Sequence, residues 1–161
     1  MKKTLLIILA LLLTATTFAQ NRTRTISSLN LDLLAPVSDA IKNTHIVGGG
    51  ASLQIEVRNS KKLSYIASSG YSVILPKPGY NAIIQLPTMM GAKYRITDVV
   101  GMQLMGGIVV LNNGLGSKFS YAPGFYFDYG KLTTNVRYTC TWINGGDEDI
   151  TTVGLGISYK L

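Results

Sequence analysis

From about residue 27 to the end of the chain, apolar and polar residues alternate with a period of two. That is the mark of strands with two unlike faces. Gly, Asn, Asp and Pro punctuate the alternating runs, as they do between strands. The pattern predicts eight strands, at 27–35, 46–58, 62–73, 83–96, 99–111, 118–129, 131–142 and 150–160. Most exceed the five or six residues or so usual in globular proteins. They match the roughly 9 to 11 residues that a tilted strand needs to cross a bilayer. The intervening segments alternate in length. Those at 36–45, 74–82, 112–117 and 143–149 are longer, and those at 59–61, 97–98 and Gly130 are tight.

Separating the two faces sharpens the picture. One face carries Leu29, Leu31 and Leu33, then Leu53, Ile55 and Val57, then Met102, Leu104 and Ile108, then Phe119, Tyr121 and Phe125, and finally Leu155, Ile157 and Tyr159. No charge falls on it. The other face carries Asp32, Glu56, Arg58, Lys93, Arg95, Asp128, Lys131, Arg137 and Lys160, with small and polar residues between them. A soluble barrel would turn the apolar face inward, whereas a membrane barrel turns it to lipid and lines its lumen with the charges. Aromatics near strand ends favour the membrane arrangement, with Tyr65, Tyr71, Tyr94, Phe119, Tyr129, Trp142 and Tyr159 as an interfacial girdle. Charged residues make up 14% of the chain, well below the roughly 25% of an ordinary soluble domain. The fold expected is all-β: an eight-stranded antiparallel up-and-down transmembrane barrel.

The first residues read differently. Lys2 and Lys3 precede the apolar run 5–13, and small residues lead to Ala19. This is the layout of a secretory signal peptide, and the run is short for a membrane helix. The expected organisation is a signal peptide at 1–19, a short segment at 20–26 and a barrel domain at 27–161. The excess of 15 Lys and Arg over 8 Asp and Glu is dispersed, not gathered into the basic stripe a nucleic-acid partner requires. A single cysteine, Cys140, excludes a disulfide framework. It reads as a small buried or lipid-facing hydrophobe.

The chain resembles the small outer-membrane β-barrel proteins of Gram-negative bacteria, the outer membrane protein beta-barrel domain group. The resemblance is carried by the leader ending Phe18-Ala19-Gln20, the stretch 48–53 followed by 63–71, and 87–94. It continues through 119–124 and the closing strand 153–161. It implies residence in the outer membrane among lipid and lipopolysaccharide, with insertion by the barrel-assembly machinery. Members typically close on an aromatic residue, whereas here Tyr159 stands two residues before Leu161.

Candidate chemistry is sparse. His45, the one histidine, is expected in solvent at the end of the first long connection, near Ser38 and Asp39. A Ser-His-acid set of the kind found in lipid A-modifying barrel enzymes would need these three in mutual contact. Asp147, Glu148 and Asp149 lack the spacing of a calcium loop and read as a solvated loop tip. Gly48-Gly49-Gly50 has no following helix or Lys-Ser/Thr pair, so it reads as small residues in a strand. The remaining site is the lumen, where Asp32, Glu56, Arg58, Lys93, Arg95, Asp128 and Arg137 are expected to form one ion-pair network along the barrel. Such a network fills and stiffens an eight-stranded interior, or else lines a narrow ion path. The expected protein is a non-enzymatic barrel without cofactor or metal, contributing to envelope structure or loop-mediated contacts. The alternatives are a soluble lipocalin-like barrel around an apolar ligand, and a lipid A-modifying enzyme.

Overall fold

The computed structural model describes residues 24–112, 114–143 and 149–161. The expected signal peptide therefore lies outside the described residues. Eight strands follow one another: β1 (Arg24–Pro36), β2 (His45–Arg58), β3 (Leu63–Pro76), β4 (Ile83–Arg95), β5 (Val100–Leu111), β6 (Gly116–Tyr129), β7 (Leu132–Thr141) and β8 (Ile150–Lys160). Each pairs antiparallel with the next, and β1 pairs with β8 from Ser28↔Lys160 to Pro36↔Thr152, closing the barrel. Closure leaves no unpaired sheet edge. Strand β1 starts three residues before the predicted boundary, because Arg24, Thr25 and Ile26 continue the ladder against Arg58, Val57 and Glu56.

The tight turns are held by side chains as well as backbone. Ser60 Oγ accepts hydrogen bonds from the Lys62 and Leu63 amides, and Thr97 Oγ1 accepts from Val99 and Val100. The third short turn needs a residue in the left-handed region, and Gly130 supplies it at φ 75°. Two mid-strand prolines cost the ladder on one side only. The β3–β4 register skips from Ser69↔Thr88 to Ser72↔Gln85 around Pro87, and the β6–β7 register skips from Tyr121↔Cys140 to Gly124↔Arg137 around Pro123. A residue without an N–H cannot complete those rungs.

The face assignment matches the predicted parity. Along the described strands, no Asp, Glu, Lys or Arg points outward. Large apolar residues do, among them Leu31, Leu53, Leu104, Ile108, Phe125 and Leu155, each more than half exposed. The interior holds Asn30, Gln54, Glu56, Gln85, Lys93, Gln103, Ser120 and Asn135, all buried. This is the reverse of a soluble barrel built around an apolar ligand. Thr151, outward by its alternation with Leu155, Ile157 and Tyr159, departs from that parity: it is buried beneath the first long connection, where Val37 N–H donates to its carbonyl.

That connection also contains an element the alternation did not predict. A single helical turn, α1 (Asp39–Lys42), folds over the barrel end and inserts Ile41. Ser38, at its N-cap position, instead accepts from the Thr151 amide at 3.2 Å through its Oγ, tying the turn to β8. Ile41 joins Ile74, Ile83, Val109, Leu111 and Ile150 in one buried cluster, with Leu115 and Ile143 packed against it. The long-connection end of the barrel is thus capped by hydrocarbon.

Candidate functional site: a layered lumen

The lumen below the cap is divided, not threaded by one network. At the short-turn end, β2 supplies Glu56 and Arg58, β4 supplies Lys93 and Arg95, β6 supplies Asp128 and β8 supplies Lys160. Glu56 accepts from Arg58 Nε at 3.2 Å and from Lys93 Nζ at 3.3 Å. Asp128 gathers three cations: Arg95 at 3.6 Å, Arg58 at 4.0 Å and Lys160 in direct contact. Lys93 reaches Glu56 across β3 because Ser64 pairs with both Arg58 and Lys93 and is too short to intervene. Lys93 also stands 5.3 Å from the centroid of the Tyr126 ring, within cation–π range. That ring lies where a side chain on Gly101 would stand, so the neighbouring strand needs glycine there.

Asp32 and Arg137 form a second, separate unit, with the carboxylate 2.6 Å from the guanidinium. They come from β1 and β7 and meet over β8, where Asp32 pairs with Gly156 and Arg137 with Gly154. A side chain on Gly156 would collide with Asp32 and Asn135. Beside the pair is a cavity of about 60 Å³ lined by Ser52, Ser72, Gln85, Met89 and Val109 among others. It is large enough for a few waters. Ile66, Met89, Met105 and Ala122 form a buried apolar cluster on the β3–β6 wall.

Two expectations are therefore corrected. The predicted single network through the barrel is two units: Asp32 meets Arg137 across the β8 glycines, and the other charges gather around Glu56 and Asp128 at the short-turn end. The lumen is not polar throughout, because the isoleucine cap and the β3–β6 cluster occupy part of it. Lys160 and Tyr126, absent from the predicted network, belong to it. Both share the inward parity of Asp128 or its β8 neighbours, so the alternation carried that signal.

The predicted aromatics all project outward and are exposed. Tyr65, Tyr94, Tyr129 and Tyr159 stand near the short-turn ends of their strands. Phe119 and Trp142 stand near the long-connection end, and Tyr71 in that half of β3.

The structure does not assemble Ser38, Asp39 and His45. His45 is buried, not solvated as expected, because it opens β2 under the folded connection. Its Nδ1 lies 2.8 Å from Thr44 Oγ1 and its Nε2 3.2 Å from the Asn81 carbonyl oxygen, which bridges the first two long connections. Ser38 bonds β8, and Asp39 pairs with Lys42. Of the acidic trio, Asp147 and Glu148 lie outside the described residues, and Asp149 accepts from the Ile143 amide at 2.9 Å. Cys140 is buried, with Sγ 3.9 Å from an Asp149 oxygen. Gly48 and Gly50 face inward close against β3, which fits their reading as small strand residues.

No protein-family profile matches the chain, and no curated protein does. Solved structures do. The crystal structure of Ail, the attachment invasion locus protein of Yersinia pestis, aligns at TM-score 0.58 and 14% identity, covering 85% of this chain and 97% of that one. The fold is that of the small outer-membrane β-barrels. The N-terminal β-barrel domain of Pseudomonas aeruginosa OprF aligns at TM-score 0.54 and 10% identity, covering 86% of this chain and all of that one. A de novo designed transmembrane β-barrel aligns at TM-score 0.56 and 14% identity, over 84% of this chain and 95% of its own.

Proposed function

We propose that this chain is a non-enzymatic integral barrel of the outer membrane that strengthens the envelope and presents a compact, interlocked loop surface. The observation that carries the reading is the outer face, which is dominated by large apolar residues and free of charge along the described strands. Water offers no reason for such a face, and hydrocarbon does. The outward aromatics at both strand ends then act as belts at the two membrane interfaces. The long-connection end meets lipopolysaccharide, and the barrel-assembly machinery inserts the chain.

The interior supports a structural role over conduction. The isoleucine cap closes one end, and ion-paired side chains cross the lumen near the other. The first three long connections are tied to one another, since Lys77 N–H donates to the Thr44 carbonyl and Asn112 Nδ2 donates to that of Ala82. Among the described residues they form a small linked surface, better suited to a local contact than to a long adhesive arm.

The test is cell fractionation combined with gel mobility in SDS, unboiled against boiled. The expected result is an outer-membrane protein whose mobility shifts on boiling, since closed strand pairing resists detergent. In a planar lipid bilayer it should show no steady conductance. A soluble protein without a mobility shift would overturn the membrane reading, and sustained conductance would overturn the closed lumen.

A further inference from the structure

The two ends of the barrel differ in charge as well as in polarity. The short-turn mouth opens into a cavity of about 600 Å³. Its walls carry Arg24, Arg58, Arg95, Lys131 and Lys160, against Asp98 and Asp128. The floor adds one charge of each sign, Lys93 and Glu56, and leaves that imbalance unchanged. There Arg58, Lys93, Arg95 and Lys160 share only two carboxylates among the described residues, Glu56 and Asp128. Arg58 is shared between Glu56 and Asp128, so these four cations outnumber their two carboxylates by two. Arg24 and Lys131 at the rim make no ion pair among the described residues. Positive charge gathered in a partly enclosed, low-dielectric cleft raises the local concentration of anions. Arginine pairs there suit the fork geometry of a tetrahedral oxyanion.

We propose that this mouth is an anion-binding vestibule that takes a phosphate group, with Arg58, Arg95 and Lys160 as its floor and Arg24 and Lys131 as its rim. The volume falls within the range of small-molecule sites, about 300–1,000 Å³. The phosphate belongs either to a soluble phosphorylated compound or to the headgroup of an anionic lipid lying against the mouth. The site itself rests on side-chain geometry and charge. Only the lipid source depends on the membrane reading above.

The test uses the full chain folded into nanodiscs of zwitterionic phosphatidylcholine, titrated calorimetrically with inorganic pyrophosphate at low salt. Saturable binding is expected, and it should weaken as salt screens the charges. The rim variant Arg24→Gln/Lys131→Gln removes two cations that hold no ion pair among the described residues, so the fold should survive. It should bind about tenfold more weakly, a change worth about 1.4 kcal/mol. The floor variant Arg95→Gln/Lys160→Gln should lose binding. Boiling-dependent gel mobility verifies that both variants are folded. A second set of nanodiscs containing phosphatidylglycerol separates the sources. Suppressed pyrophosphate binding there assigns the vestibule to a lipid headgroup, and unchanged binding assigns it to a soluble phosphate. Absence of saturable binding to the wild type in zwitterionic discs overturns the proposal, as does undiminished binding by both folded variants. Neither failure alters the gel shift or the outer-membrane fraction, so the vestibule and the barrel reading fail separately.

Discussion

Replacing Leu104 by arginine tests what the outer face touches. Leu104 is 60% exposed near the middle of β5, flanked by Ala92 and Pro123. Against the hydrocarbon midplane an outward arginine costs about 2–4 kcal/mol, falling to about 0–1 kcal/mol near an interface. The same strand provides the control. Val110 also points outward, six residues on, near the end of β5. Six residues span about 20 Å of strand, or about 15 Å of depth at a tilt of about 40°. That exceeds half of a lipid-facing band about 25 Å tall. Val110→Arg should therefore cost no more than about 1 kcal/mol, and the difference between the two variants should be about 2–3 kcal/mol. Reversible denaturant unfolding in phospholipid vesicles measures it. Trp142, the only tryptophan, lies outward just beyond β7 and reports insertion by fluorescence. On a water-exposed face both substitutions would fall within about 0.5 kcal/mol of wild type. Equal costs at the two positions, large or small, would refute a lipid-facing surface with a defined midplane.

The lumen yields two further tests by the same unfolding assay. Glu56→Gln removes the negative charge shared by Arg58 and Lys93 and one of the two accepting oxygens. Because it leaves Lys93 buried and unpaired, it should destabilise by about 3–5 kcal/mol, with much of that recovered in Glu56→Gln/Lys93→Met; no recovery would mean the pair is not what the carboxylate supports. Gly101→Ala drives a methyl into the space of the Tyr126 ring and should cost about 1–3 kcal/mol by overpacking. The same substitution should be nearly neutral beside Tyr126→Ala, and an undiminished cost there would place the strain elsewhere.

The strands and their faces were legible because a barrel strand records its surroundings locally. Each residue from Gly101 to Leu111 sees lipid or lumen according to its parity, with Gln103 marking the lumen side that Met105 shares and Leu104 does not. The closing ladder between β1 and β8 adds no new local signal, and the even number of alternating runs implied it. The four-residue turn α1 was not legible. Its Asp39–Lys42 stretch is too short for helical periodicity, and it exists because Ile41 finds an apolar cluster assembled from β3, β4, β5 and β8. His45 became buried for the same nonlocal reason, since its partner Asn81 belongs to a different connection.

The division of the lumen shows where parity stops being sufficient. Parity placed Asp32 and Glu56 on the inner face but could not say which cations they meet, because partners lie two strands away. Two of the meetings rest on a small residue on the strand between, Ser64 beneath Lys93, and Gly154 and Gly156 beneath Arg137 and Asp32, whereas Arg95 and Lys160 reach Asp128 across β5 and β7. The ion pairs are thus written in the gaps as much as in the charges. A sequence reading that looks for a small inward residue at the bridging register position would have paired Asp32 with Arg137. It would also have separated both from the cluster around Asp128. By the same logic, filling Gly156 should break the Asp32–Arg137 unit while leaving the Glu56–Lys93 contact intact, since Ser64 lies on the opposite side of β1 and β2.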